Sequence, residues 1–432
     1  MESFNASYRF VIFLILLYSV LPAQAQQHPK QLPDGTEGEV LTTPLIDSAT
    51  GKPPKRNWNE FNLGFTTLKV GGGYLYEFVG FNQDDMAKAQ MDSAGVEAKN
   101  EFKVRDSRIM LSGAFKTRRT ITWKLGLMYD GVTEAWWVRE TGVLVALPEI
   151  AGHVFVGRTK EGFSLNKVMN GYAGWTFERQ MALDVIPIFG DGIKFMGYLP
   201  KPRIFWNAGV YADWFSEGQT FSTYNWQTAF RVGWRPIYDP AHNHVFHIGA
   251  SYRYGQPLNG QMRLKSRPEA NPAPNFIDTG TFPSDHSNHY GTEVYYTKGP
   301  LTVGSEILWH SFTSPSTDNP TFFGGDVAVT YVLTGESRVY SSESSIYAFV
   351  PVEKPVFRGG WGAVEAVLRF SYLDLDDGTI EGGKLWRITP MVNWYLSKYV
   401  RFEIGYGYSV LDRYQLKGVT QLFQSRIHFQ IL

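Results

Sequence analysis

Arginine is the residue type through which this sequence could act on a solute. Arg105, Arg108, Arg231, Arg235, Arg253, Arg369, Arg387, Arg401 and Arg426 stand in stretches whose apolar residues recur at every second position, with arginine on the other parity. Arg158 and Lys160 share a parity just before a long irregular interval. A guanidinium is permanently charged and offers five donors in a planar fork, which matches the oxygens of phosphate and other oxyanions. Rings of such groups in a pore select anions by their field, and several weak sites in series let a bound ion leave. Acids on the same parity are fewer, chiefly Glu77, Asp130, Glu306, Glu365 and Glu403. The competing reading is mechanical. Paired with acids, the arginines brace a water-filled wall, and a balance of 41 basic and 41 acidic residues is compatible with that.

Other chemistry has weaker support. His242, His244 and His247 lie close in HNHVFH, but no carboxylate cluster or cysteine completes a metal site. DLDDG from Asp374 begins like a calcium loop, yet its glycine comes one place early and its twelfth position is Leu385. A loop-bound calcium at an outer rim is the residual reading there, and no metal is assigned. There is no GxSxG elbow and no GxxxxGK[ST] loop. With no cysteine in the chain, disulfides, thiolate zinc sites and cysteine nucleophiles are excluded. Balanced charge argues against a nucleic-acid partner bound through bulk charge.

The elements that must carry the arginines are extended strands. In Arg358–Leu396, Val364, Ala366, Leu368, Phe370 and Tyr372 share one face, opposite Glu365, Val367, Arg369 and Ser371. After the connection DLDDGTIEGG, Trp386, Ile388, Pro390, Val392 and Trp394 share a face opposite Arg387, Thr389, Asn393 and Tyr395. Such a pair suits a transmembrane barrel, with aromatics to lipid and arginines to water. A hairpin of a soluble sandwich has the same pattern. Elsewhere Tyr74, Tyr76 and Phe78 alternate with Glu77, and Trp123, Leu125, Leu127 and Tyr129 with the face of Lys124. After Asp106 the phase slips, so that Arg108 points inward with Ile109 and Leu111 outward, as a β-bulge would cause. Parity likewise sets Phe230, Val232 and Trp234 opposite Arg231 and Arg235, and Ile248 and Tyr252 opposite His247 and Arg253.

Composition and the N-terminus choose between these alternatives. Residues 1–25 read as a signal peptide: Arg9, an apolar run from Phe10 to Leu21, and the Ala23-Gln24-Ala25 cleavage pattern. The run is too short to span a membrane as a helix, and no later segment is apolar for longer. Residues 26–60 are polar and proline-punctuated, which reads as a flexible periplasmic lead-in, and 61–432 as the barrel. Mean hydropathy of −0.23 fits a barrel, in which only alternate residues meet lipid. Aromatic content of 16% and 43 glycines suit interfacial girdles and tight turns. The length after Asn59 allows roughly 16 spanning strands. The fold expected is all-β: a transmembrane antiparallel β-barrel.

Several segments resemble, in order, the phosphate-selective porin O and P family. They are FKVRDSRIMLSGAF, WKLGLMYD, VGRTKEGFSLNKVMN with TFER, FRVGWRP, VTYVLTGESRVY, and RGGWGAVEAVLRFSYLDLDDG followed by NWYL. The resemblance runs from about Glu101 to Leu432 and implies a sixteen-stranded homotrimeric porin of the Gram-negative outer membrane, in contact with outer-membrane lipid. It also implies that the interval Gly162–Pro202, too long for a turn, is a loop folded into the lumen. A loop lying on the surface against neighbouring subunits is the alternative. On this reading Arg105, Arg108, Arg158, Lys160, Arg231, Arg235, Arg253, Arg369, Arg387 and Arg401 form a lumen path for small anions, phosphate or related oxyanions first. Arg179 and Lys194 belong to the constriction loop, while the family's lysine cluster is not evident. No cofactor and no enzymatic activity are expected. The alternatives are a general diffusion pore, a structural barrel or an outer-membrane barrel enzyme.

Overall fold

The computed structural model describes residues 57–214 and 224–431. The expected signal peptide and nearly all of the lead-in therefore lie outside the described residues. Alternating side chains leave each segment one apolar face and one polar face. In lipid the backbone groups between the faces must then be paired strand to strand, without a free edge.

The strands are β1 (Thr67–Gln83), β2 (Glu101–Ala114) and β3 (Ile121–Asp130). An interrupted β4 follows (Ala135–Val138 and Thr141–Leu147), then β5 (Gly152–Lys160), β6 (Phe189–Leu199) and β7 (Ile204–Ala212). Next come β8 (Tyr224–Asp239), β9 (His244–Pro257), β10 (His286–Lys298), β11 (Leu301–Thr313) and β12 (Thr321–Val332). The last are β13 (Ala363–Asp377), β14 (Ile380–Tyr395), β15 (Val400–Arg413) and β16 (Leu416–Ile431). Each pairs antiparallel with its sequence neighbour, and β16 pairs with β1, setting Glu77 opposite Arg426. The result is a closed sixteen-stranded barrel. A short strand, Glu60–Asn62, folds back on the start of β1, so the first spanning strand begins a few residues after the expected boundary at Phe61.

Parity holds along the wall. Phe230, Val232 and Trp234 are exposed on the outside while Arg231 and Arg235 are buried inside, and Leu368 and Phe370 flank the inward Arg369 in the same way. The phase slip in β2 is a bulge: Leu75 pairs with Asp106 and Tyr76 with Val104, leaving Arg105 as the extra residue. Two expectations are corrected. DLDDGTIEGG is almost entirely strand, because β13 runs to Asp377 and β14 resumes at Ile380, with Gly378 in the left-handed region at the turn (φ 60°). The interval Gly162–Pro202 is a loop only as far as Ile188, since β6 begins at Phe189 and occupies most of the remainder. Asp191 and Gly197 break the outward stripe of Ile193, Phe195 and Leu199 in β6 and hide its period.

Short connections at residues 115–120, 148–151, 200–203, 240–243, 299–300 and 396–399 all fall at one end of the barrel, the periplasmic end of such folds. Two long segments, 161–188 and 258–285, enter the lumen from the other end. A third, 333–362, joins β12 to β13 at the short-turn end and enters from below. Met181, Leu183, Val185 and Ile186 of the first segment pack with Met262, Leu264, Phe276 and Ile277 of the second. Trp175 of the first packs with Tyr340, Ile346 and Tyr347 of the third. Helix α1 (Asp85–Ala94) covers the rim, where the Gln90 amide donates to the carbonyls of Leu411, Arg413 and Leu416.

Candidate functional site

The loop 161–188 crosses the lumen as irregular backbone, and its polar groups must find partners there. The wall supplies them. At its start, helix α2 (Leu165–Val168) is held by two carboxylates that face each other on β10 and β11. Leu165 N donates to Glu293 (2.5 Å), and Asn166 N (2.7 Å) and the Ser164 hydroxyl donate to Glu306. Across the lumen, Lys160 donates to Met169 O (2.7 Å) and Tyr172 to Asp106 (2.6 Å). Arg401 donates to Gly174 O (2.7 Å), Asn393 to Trp175 O (2.9 Å), Arg426 to Phe177 O (2.5 Å) and Arg369 to Glu178 O (2.9 Å). Glycine on the inner wall makes the approach possible. A β-carbon at Gly73 would stand 2.1 Å from the Tyr172 ring.

Most of the inferred path residues are thus inward but engaged. Arg105 forks onto Glu178 (3.0 and 2.9 Å), and Arg108 holds Asp106 while stacking on Tyr172. Arg158 pairs with Asp191 (2.9 Å), Arg231 with Glu293 (2.8 Å), Arg253 with Glu161 (2.9 Å) and Arg369 with Asp326 (2.9 Å). Arg401 pairs with Glu403, and Arg387 is held by Thr389, Gln424 and the carbonyl of Pro268 from the 258–285 segment. Arg179 lies on the 161–188 loop in the lumen, where it bonds Asn166 O and Met169 O and closes the loop on itself. Lys194 does not. It stands on β6, buried, with its ammonium on Thr159 and the carbonyl of Lys160.

Arg235 differs from the rest. Its guanidinium lies 4.0 Å from the ring centre of Tyr198 and 4.7 Å from that of Tyr238, fully buried, and none of its nitrogens has a hydrogen-bond partner among the described residues.

Parity had undercounted the acids. Glu293 and Asp326 fall on inward positions of β10 and β12 and were readable as such; Glu161, Glu178 and Glu269 come from lumen segments, where parity has no meaning. Around the loop's tip a polar cavity of about 40 Å³, room for a few waters, is bounded by Arg105, Arg108, Arg179 and Arg426 against Asp106 and Glu178. The three histidines noted earlier are dispersed. His242 pairs with Asp239, which caps the turn, whereas His247 is buried between Tyr340 and Glu293.

A closed sixteen-stranded barrel with apolar outer face and a lumen crossed by a charged loop defines an outer-membrane porin. Solved structures of the same architecture include OmpT, an outer-membrane protein of Vibrio cholerae (TM-score 0.52, 11% identity, 86% of this chain and 100% of that one). Others are an anion-selective porin from Comamonas acidovorans (0.51, 13%, 85% and 100%) and OmpF of Salmonella typhi (0.53, 10%, 86% and 100%). At such identities the likeness is one of fold. The sequence pattern of the phosphate-selective porin O and P family matches residues 78–431, and the chain belongs to that family. An uncharacterized protein of Caulobacter vibrioides is 26% identical over 340 residues, 76% of this chain; the match spans 61% of that relative's own length.

Proposed function

We propose that the barrel passes small anions by passive diffusion, with phosphate and related oxyanions as leading solutes and no cofactor. The observation that carries this reading is the charge about the loop's tip, where four guanidiniums bound the cavity against two carboxylates. Arg105 keeps part of its side chain exposed there, and Arg235 adds a guanidinium with unoccupied donors nearer the short-turn end. Weak contacts of this kind in series favour an anion without trapping it. In the same reading residues 1–25 direct export, 26–60 lead into the barrel, and three copies assemble. The trimer draws support from the trimer form solved for the Vibrio cholerae protein.

A second reading has its own support. Because most wall arginines are paired with acids or loop carbonyls, the barrel could be a general diffusion pore or a structural barrel whose arginines seat the loop. Reversal potentials of the purified protein in KCl gradients, with and without phosphate, separate the two. The anion reading expects a potential towards anion selectivity and a chloride current reduced by phosphate. A cation-selective pore would sink it, and a pore indifferent to phosphate would favour general diffusion. A protein that opens no channel would leave the structural barrel.

A further inference from the structure

Arg338 is a buried charge that the reading above leaves without a role. It stands on the 333–362 segment, which enters the lumen from the mouth opposite the constriction loop. Its Nη1 donates to Ala173 O of that loop (2.6 Å) and to Ala348 O of its own segment (2.9 Å). Its Nη2 lies 2.9 and 2.8 Å from the two oxygens of Glu365 on β13 and 3.0 Å from the Tyr395 hydroxyl on β14. One guanidinium therefore joins loop, opposing segment and wall. Trp175 of the loop packs edge-on against Tyr347 of the segment beside it, with the Arg338 guanidinium 5.3 Å from the indole.

The segment is seated on the wall by other contacts as well. Arg231 donates to Ser345 O (3.1 Å), Tyr347 bonds Thr297 (2.7 Å) and Tyr340 bonds His247 (2.6 Å). What Arg338 adds is the tie to the loop. A planar fork can hold a carboxylate and two carbonyls in one plane, whereas a lysine ammonium is a point charge on a flexible stem.

We infer that Arg338 is a positioning residue for the constriction, holding the tip of the 161–188 loop from the opposite mouth so that loop and segment move as one unit. A disturbance at the short-turn mouth is then felt at the entry side. Only the conductance part of its test rests on the diffusion-pore reading.

The chain has no cysteine, so Ala173→Cys introduces a single thiol at a position that is fully buried. Its rate of modification by a water-soluble cationic thiol reagent reports whether the tip has lifted. One charge-assisted bond to the loop, to Ala173 O, is at stake, so R338K in the A173C background is expected to raise the rate roughly tenfold or more. Single-channel conductance should rise in the same variant and its noise increase. R338A should go further; if it fails to assemble, R338K carries the test, since it keeps a positive charge beside Glu365. Faster modification in a protein that never conducts, wild type included, would support the positioning role and overturn the diffusion reading. A rate and a conductance within twofold of the parent in R338K would overturn the inference.

Discussion

A guanidinium held face-on by aromatic rings keeps its edge free, and all of its donors lie in that edge. Arg235, stacked on Tyr198 and Tyr238, is in this state. Because the group is fully buried it acts on a passing anion through its field, and Arg235→Ala is expected to weaken phosphate block of chloride current about threefold. Block that is unchanged would remove Arg235 from the path. Glu178 is the opposite case, one carboxylate shared by Arg105 and Arg426. Glu178→Gln leaves both cations without it, so reversal potentials should move towards anions while unfolding stability falls by about 3 kcal/mol. A shift towards cations would contradict that account of the charge at the tip. At this scale the sequence was informative about direction and silent about partners. Alternation put Arg231, Arg369 and Arg387 on the inner face, but Glu178, Glu161 and the Pro268 carbonyl arrive from segments with no period. Lys194 stands on a strand rather than the loop, which the sequence hides because Asp191 and Gly197 interrupt the stripe that would have marked that strand.

Among the elements, the 161–188 loop carries a buried charge that responds to pH. Lys167, in α2, is fully buried against Glu161 (2.6 Å), a carboxylate that Arg253 also holds. Burial is the main cause of its lowered pKa; Glu161 opposes it and the Arg253 charge adds to it, bringing the ammonium from 10.5 down to about 8. The folded pKa lies below the unfolded one, so between these values the unfolded chain binds more protons and stability rises with pH. Thermal unfolding of the wild type should therefore climb relative to Lys167→Met from pH 8 to 10, by on the order of 2 kcal/mol. Parallel curves would refute the assignment. Replacing residues 171–178 by a short Gly-Ser linker keeps the anchors at Ser164–Asn166 and leaves β6 intact. It is expected to raise conductance and relax ion preference, and an unaltered conductance would place the tip outside the path. That this loop enters the lumen followed from the resemblance. The 333–362 segment did not announce itself, because serine-rich sequence such as SSESS reads as a turn at either mouth.

For the whole molecule, the period-two pattern conveyed the all-β class, and chain length gave the scale of the barrel. It could not say which strands neighbour one another across the seam, because an alternating strand carries no local mark of its partner. If the charge at the tip sets selectivity, raising salt from about 0.1 to 1 M should shrink the reversal potential per unit gradient, as screening shortens from about 10 to 3 Å. A potential independent of salt would point to a steric filter.

The seam has a further consequence, for the order in which the molecule assembles. Glu77 on the first strand meets Arg426 on the last, and that same arginine holds Phe177 O and Glu178 of the loop. The ends of the chain must find each other before this anchor exists, and contacts so distant in sequence form late, because the intervening chain must first be ordered. The full Glu77–Arg426–loop anchor is therefore complete only after the ring has closed. A barrel still open at the seam lacks this anchor, so the joint hold of Arg426 on Glu77 and on the loop is itself the sign that the last strand is in place.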